Sequence, residues 1–111
     1  MTYDERKKQL YQTMKEELLS RPNGFWFEPD RDGPKYFCPK YLGEERMEYL
    51  TEVYLDDEEY DQIIVNTLYE DQDGKECVQV SSFSEFSNDE MATIMHLCGV
   101  EVPMEGEFYV E

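Results

Sequence analysis

The segment 62–83, QIIVNTLYEDQDGKECVQVSSF, constrains the fold more than any other part of the chain. Two runs rich in β-branched and aromatic residues flank Asp73-Gly74, a favoured pair for a two-residue hairpin turn. Such a turn places Tyr69 opposite Val78 in an antiparallel pair. The sequence therefore predicts a hairpin with one apolar face, formed by Ile63, Val65, Tyr69, Val78 and Val80.

The same hairpin has a second, partial set of apolar residues, which the predicted register assigns to the opposite face. These residues are Ile64, Leu68 and Phe83. Because a solvated sheet face is normally polar, their presence indicates that this face is either covered as well or used for binding.

Two capping boxes predict helices on either side of the strands. The sequence TYDE at 2–5 begins a helix over about 3–20, with apolar residues at helical spacing. The sequence SNDE at 87–90 begins a second helix over about 88–98, and Gly99 is a natural C-terminal stop.

Further strands are predicted between these elements. Turn residues in PDRDGP predict a hairpin that pairs 25–28 with 35–38. Alternation over 48–56 predicts a half-buried strand, and Pro103 and Gly106 restrict the C-terminal tail to a short or edge strand. The strand at 48–56 would have an acidic outer face that carries Glu48, Glu52 and Asp56.

Helix, strands and helix in this order predict a single α+β domain that spans residues 1–111. Its antiparallel sheet, rich in hairpins, would have about four to six strands. The N-terminal helix and the later helix are predicted to pack on one face of that sheet, the face of Ile63, Val65 and Tyr69.

The distribution of apolar residues and cysteines favours the cytoplasm. The first ten residues lack an apolar signal region, and no stretch approaches the roughly 18 apolar residues of a membrane span. Cys38, Cys77 and Cys98 are an odd number and widely spaced, which favours reduced thiols in a reducing compartment.

Negative charge is concentrated in the later two-thirds of the chain. Residues 1–43 contain 7 acidic and 8 basic residues, whereas residues 44–111 contain 20 acidic residues and only Arg46 and Lys75 as bases. The net charge of −17 exceeds the magnitude of about 2 to 8 that is sufficient for solubility. Direct nucleic-acid binding is disfavoured, because a phosphate-binding face needs clustered Lys and Arg.

Metal and cofactor sites are not predicted. The DRDG and DQDG stretches resemble the middle of a calcium loop, but aligning each Gly to the sixth position puts Pro39 or Val80 where a Glu ligand is required. His96 and Cys98, the only local His–Cys pair, are two residues apart on a helix and point in different directions.

Catalytic motifs are equally scarce, so the chain is not predicted to be an enzyme. The single histidine limits Cys–His catalysis, and no phosphate-binding or nucleophile-elbow motif occurs. A chance pair of carboxylates among 27 acids is too unspecific to indicate acid–base chemistry.

The acidic run LDDEEYD at 55–61 is the densest part of the surplus charge. It lies between two predicted strands, so it is interpreted as an inter-strand turn that is either simply solvated or part of a partner-binding surface. Tyr is enriched at interface hot spots, and two tyrosines flank the acids. The predicted partner-binding residues are Glu48, Glu52, Tyr54, Asp56, Asp57, Glu58, Glu59, Tyr60 and Asp61.

In size and charge alone, the chain resembles the small acidic inhibitors that phages and mobile elements use against host defence nucleases, including anti-CRISPR and anti-restriction proteins. That resemblance implies a non-enzymatic inhibitor whose partner is a basic nucleic-acid-binding protein, with mimicry of nucleic acid as one mode of binding. An immunity protein against a basic toxin nuclease has the same character. The alternative is an acidic adaptor or structural subunit that binds its partner through the apolar second face of the sheet.

Overall fold

In the described part of the chain, two helices and three long antiparallel strands form a small single-domain α+β fold. The structure, a computed structural model, describes residues 2–21, 26–27, 36–39, 46–56, 58, 62–102 and 109–110. The elements in chain order are α1 (Tyr3–Leu19), β1 (Trp26–Phe27), β2 (Tyr36–Phe37), β3 (Glu48–Leu55), β4 (Ile63–Glu70), β5 (Glu76–Ser82), a 3₁₀ turn (Phe83–Glu85), α2 (Asn88–Leu97) and β6 (Tyr109–Val110).

The sheet has the order β2-β3-β4-β5, and all its neighbours are antiparallel. Within the described residues, β2 contributes two residues at the edge, and the predicted sheet of about four to six strands is not confirmed. The predicted hairpin between 25–28 and 35–38 is wrong. Strand β1 pairs in parallel with β6, and β2 pairs with β3. Turn residues indicate where a chain reverses, but they do not determine which distant strand becomes the partner.

Helix α1 forms where the sequence predicts it, and its described contacts include the Thr2 half of the predicted capping box. The hydroxyl of Thr2 accepts a hydrogen bond from the Glu5 N–H at 3.2 Å, which satisfies one of the free amides of the first turn. Leu10, Met14 and Leu18 follow at intervals of four residues and are buried. This spacing places them on one face of the helix, which packs toward β3 and β4.

Helix α2 begins at a complete capping box. The Ser87 hydroxyl accepts from the Glu90 N–H at 3.2 Å, and the Glu90 carboxylate accepts from the Ser87 N–H at 3.1 Å. Gly99, at φ +80°, follows the end of the helix and accommodates the left-handed conformation. Both predicted helices are therefore confirmed.

A single buried cluster joins the helices to one side of the sheet. The helices contribute seven of its side chains: Leu10, Met14, Leu18, Met91, Ala92, Ile94 and Met95. Ile63 and Val65 of β4 belong to the same cluster, as predicted, and so does Phe83, which the predicted hairpin register had placed on the opposite face. Within the described residues, no helix has both the length and the apolar character that crossing a membrane requires.

Arg21 connects the end of α1 to the beginning of α2. Its guanidinium donates to the carbonyl oxygens of Ser84 and Phe86, the latter at 2.5 Å, and lies 3.4 Å from the Asn88 side-chain oxygen. Charge-assisted bonds of this kind are stronger than neutral ones. The segment between β5 and α2 is thus held against the C-terminal end of α1.

The hairpin of β4 and β5 exists, but its register differs from the prediction by one residue. The Asp71 carbonyl accepts from the Gly74 N–H at 3.0 Å, and the Asp71 N–H donates to the Lys75 carbonyl at 2.9 Å. The loop therefore has three residues, and it ends with Gly74 at φ +78°. As a result Tyr69 lies opposite Cys77 rather than Val78.

A shift of one residue moves every side chain of a strand to the other face. The predicted position of Val78 and Val80 beside Ile63 and Val65 is consequently wrong. Their side chains are 63% and 60% exposed, on the side of the sheet away from the helices.

We expect Gly74→Ala to lower the free energy of unfolding by about 1 kcal/mol, because a side chain with a Cβ is strained at positive φ. No atom lies within 4 Å of the added Cβ, so the loss is conformational rather than steric. Gly74→Asn is the matched control, since Asn tolerates this conformation better. Urea denaturation measures both variants, and equal stability of the Ala variant and the unmodified protein would contradict the expectation.

Candidate partner-binding surface

Glu48, predicted to lie on the acidic outer face of its strand, is instead buried, with 1% of its side chain exposed. One carboxylate oxygen accepts a hydrogen bond from the Thr67 hydroxyl, and the other lies 2.9 Å from Nε of Arg46. The predicted orientation was therefore wrong, and Glu48 is not available to a partner.

A β-bulge explains the error. Leu50 lies opposite Thr67, whereas Glu52 lies opposite Asn66, so Thr51 is an extra residue in β3. Its hydroxyl donates to the Asn66 carbonyl at 2.8 Å. A bulge interrupts the alternation of side chains between the two faces. Glu48 and Glu52, which strict alternation would put on the same side of the sheet, therefore lie on opposite sides.

The carboxylate of Glu48 is compensated by Arg46, which is itself held in place. The Arg46 guanidinium lies over the Tyr69 ring, 3.7 Å from its centroid, and its Nη2 is 3.5 Å from the Gln79 side-chain oxygen. A buried charge is tolerated when it is paired and hydrogen-bonded. Of the two basic residues in 44–111, one is thus committed to an internal carboxylate and does not offset the acids on the surface.

The structure brings other predicted site residues to the surface. Glu52 is exposed, and Tyr54 is 38% exposed on the same side of the sheet. Asp56 is half-buried, and its side chain accepts from the N–H of the exposed Glu58 at 2.8 Å. Asp57, Glu59, Tyr60 and Asp61 lie outside the described residues.

Asp56 and Glu58, the described residues of LDDEEYD that follow β3, lie between β3 and β4, where the sequence predicts an inter-strand turn. The Asp56 N–H donates to the Gln62 carbonyl at 2.8 Å, which brings the two ends of the segment together. The Asp56–Glu58 bond is the side-chain-to-backbone contact typical of Asp in turns. The part of the segment that is described therefore forms a turn between β3 and β4.

We use the term outer face for the strand residues on the side of the sheet opposite the helices. Its members are Tyr49, Glu52 and Tyr54 of β3, Ile64, Asn66, Leu68 and Glu70 of β4, and Glu76, Val78, Val80 and Ser82 of β5. These eleven residues include three glutamates and no Lys or Arg. The outer face is therefore apolar in part and uniformly acidic in charge.

Two of these glutamates, Glu70 and Glu76, are directly opposite each other at the hairpin end, and both are exposed. Like charges in this position destabilise a sheet. A shallow depression of about 740 Å³ lies beside them, with Met47, Tyr49 and Leu68 in its lining.

Sequence reasoning missed Glu70, Glu76, Val78 and Val80 as surface candidates. A signal was present in DQDG at 71–74, because Asp at the first and Gly at the fourth position favour a four-residue type I turn. Starting the turn at Asp71 rather than placing a two-residue loop at 73–74 gives the observed register.

Cys98 lies in a buried environment that disfavours its thiolate form. Burial raises the pKa of the Cys98 thiol from 9.0 to about 11, so very little reactive thiolate exists at neutral pH. Among the described residues, no group of three or more His, Cys, Asp or Glu side chains is placed to hold a metal ion.

Comparison of the chain with protein-family models, with curated proteins and with solved structures finds no match in any of the three.

We expect Glu48→Ala to lower the free energy of unfolding by about 3 kcal/mol, because it removes one partner of a buried charged pair. Glu52→Ala, in the same strand but exposed, is the matched control and should change stability by no more than about 0.5 kcal/mol. Urea denaturation distinguishes the two variants. Similar losses for both would show that Glu48 is not the internal partner of Arg46.

We expect iodoacetamide to modify Cys98 in the folded protein at pH 8 much more slowly than in urea, because burial suppresses its thiolate. The contribution of this thiol to stability is complete below pH 9 and falls as the pH rises toward 11, since only the unfolded chain then ionises. Mass spectrometry of the labelled peptide gives the rate, and equal rates in both states would contradict the prediction.

Proposed function

We propose that this protein is a non-enzymatic inhibitor that binds a basic nucleic-acid-handling protein, such as a nuclease or a CRISPR or restriction effector. The observation that supports the proposal is the uncompensated acid of the later two-thirds of the chain. That part of the chain contains twenty acidic and only two basic residues, and one of the two, Arg46, is paired with the buried Glu48. The surface left for partners is therefore strongly negative.

A strongly negative surface is complementary to proteins with a basic nucleic-acid-binding surface. Duplex DNA carries about one negative charge per 1.7 Å of its axis, and proteins that bind it present arrays of Lys and Arg. An acidic protein surface competes for the same array, and complementary potentials accelerate the encounter. With Glu48 buried, nucleic-acid mimicry depends on carboxylates spread over several strands, such as Glu52, Glu70 and Glu76, rather than on one row in β3.

The cellular location that fits this function is the cytoplasm, where such effectors meet nucleic acid. Cys77 and Cys98 are free thiols in the structure. Free thiols are typical of a reducing compartment, which supports this placement.

Cleavage of a fluorescent DNA duplex by three purified enzymes tests the proposal: a guide-loaded CRISPR nuclease, a type II restriction endonuclease and a toxin DNase domain. We expect the protein to inhibit at least one of them at 50 mM salt. Inhibition should weaken by about tenfold or more at 300 mM salt, because surface charge interactions are screened. No inhibition of any of the three at low salt would contradict the proposal.

A second function, that of an acidic adaptor or structural subunit, is favoured by the exposure of Val78 and Val80. Contiguous apolar surface on a sheet is typical of protein–protein contacts. An apolar interface holds its affinity at high salt, so a partner bound equally well at 50 and 300 mM salt would favour the adaptor over the inhibitor.

A further inference from the structure

We propose that the outer face is the docking surface of this protein, and that its occupant is a partner segment that carries apolar side chains flanked by Lys or Arg. The inference rests on the proposed function, since it adopts the same basic class of partner. It adds the site of contact, which includes residues of β4 and β5 beyond the acidic run at 55–61.

The apolar part of the surface is centred on β5. Val78 and Val80 are 63% and 60% exposed, although Val is usually buried. Leu68 lies beside Val78 in the sheet, and Tyr49 lies beside Leu68, so these side chains form one continuous row across three strands. A contiguous apolar row of this kind marks an interaction surface more strongly than scattered residues do.

The charged part of the surface indicates that the docked segment is positively charged. Glu70 and Glu76 face each other at the hairpin end and repel. The depression beside them offers Tyr49 and Leu68 to the aliphatic stem of a long side chain. A Lys or Arg of the partner would thus pack its stem on these two residues and place its cation at the two carboxylates.

Arg46 also lines this depression, but its guanidinium is held by other groups than Glu70 and Glu76. Its guanidinium is fixed by Glu48 and by the Tyr69 ring. Glu70 and Glu76 are therefore the carboxylates of the depression that a partner can neutralise.

A second copy of this chain does not fit the same surface. Two outer faces brought together would juxtapose six glutamates without any Lys or Arg from the strands. Repulsion between like charges disfavours that association, whereas a basic segment is attracted.

The first experiment uses a defined probe, a 12-residue peptide of alternating Leu and Lys. Control peptides replace either every Lys by Gln or every Leu by Ser. We expect the Leu–Lys peptide to bind the full chain at least about tenfold more tightly than either control, because the surface offers both apolar area and negative charge. Isothermal titration at 50 mM salt measures affinity, and NMR amide shifts map the contact. Shifts confined to segments outside the outer face would overturn the inference.

Paired variants locate the contact independently. V78T/V80T keeps the β-branched shape of the strand residues and should weaken binding about tenfold, while Leu19→Gln, a change at an exposed apolar residue of α1, should not. E70Q/E76Q should also weaken binding about tenfold at low salt, yet raise the thermal midpoint by removing the repulsive pair. E16Q/E101Q changes the net charge equally at other exposed positions and serves as its control.

The outcomes separate this inference from the proposed function. Loss of binding in the outer-face variants and not in their controls supports the docking surface, both for the peptide and for whichever nuclease is inhibited. Equal behaviour of variants and controls, with inhibition of a nuclease intact, overturns the docking surface and leaves the proposed function standing. If no nuclease is inhibited but the Leu–Lys peptide binds through the outer face, the surface stands and the function is wrong.

Discussion

The two backbone hydrogen bonds that Asp71 makes with Gly74 and Lys75 determine the composition of both faces of the sheet. They fix a three-residue loop and hence the pairing of every residue in β4 with its neighbour in β5. With this register, the side of the sheet that meets the helices receives Ser81 and Gln79 from β5, while the two valines are left outside. Because the side-chain period of a strand is two, a shift of one residue in this pairing would exchange the two faces of β5. The surface chemistry of the molecule thus follows from a turn of a few residues.

Burial of Glu48 shows how an acidic chain accommodates charge in its interior. The carboxylate is accepted because the Thr67 hydroxyl and Arg46 satisfy its oxygens, and the Tyr69 ring holds the guanidinium in place. An ionised group taken out of water without such partners would be too costly. A scarce basic residue is therefore used inside, in a region where acids outnumber bases tenfold. With Arg46 used in the interior, Lys75 is the basic residue of 44–111 that remains to offset acids at the surface.

Local signals in the sequence predicted the helices and the existence of the central hairpin. The caps at Thr2 and Ser87 act within a few residues of themselves, so their effect is readable without knowing the rest of the fold. The pairing of β1 with β6 was not predictable in this way, since it joins residues about 80 positions apart. The bulge at Thr51 was missed because only the partner strand reveals where β3 carries its extra residue. The candidate site shifted toward β4 and β5 for the same reason, since strand pairing decided which residues reach the surface.

The contacts between the two helices have a consequence for the order in which the protein acquires its structure during synthesis. Arg21 binds the Phe86 carbonyl, 65 residues later, and Tyr11 donates to the Cys98 carbonyl, 87 residues later. Helix α1 is synthesised before the strands and α2, and its apolar face packs both on β3 and β4 and on α2, near the other end of the described chain. Contacts of such long sequence separation form slowly, because a large loop has to close before they are made. A nascent chain that stops short of α2 lacks part of the cover over Leu10, Met14 and Leu18, and apolar surface exposed in this way makes an incomplete chain prone to aggregation.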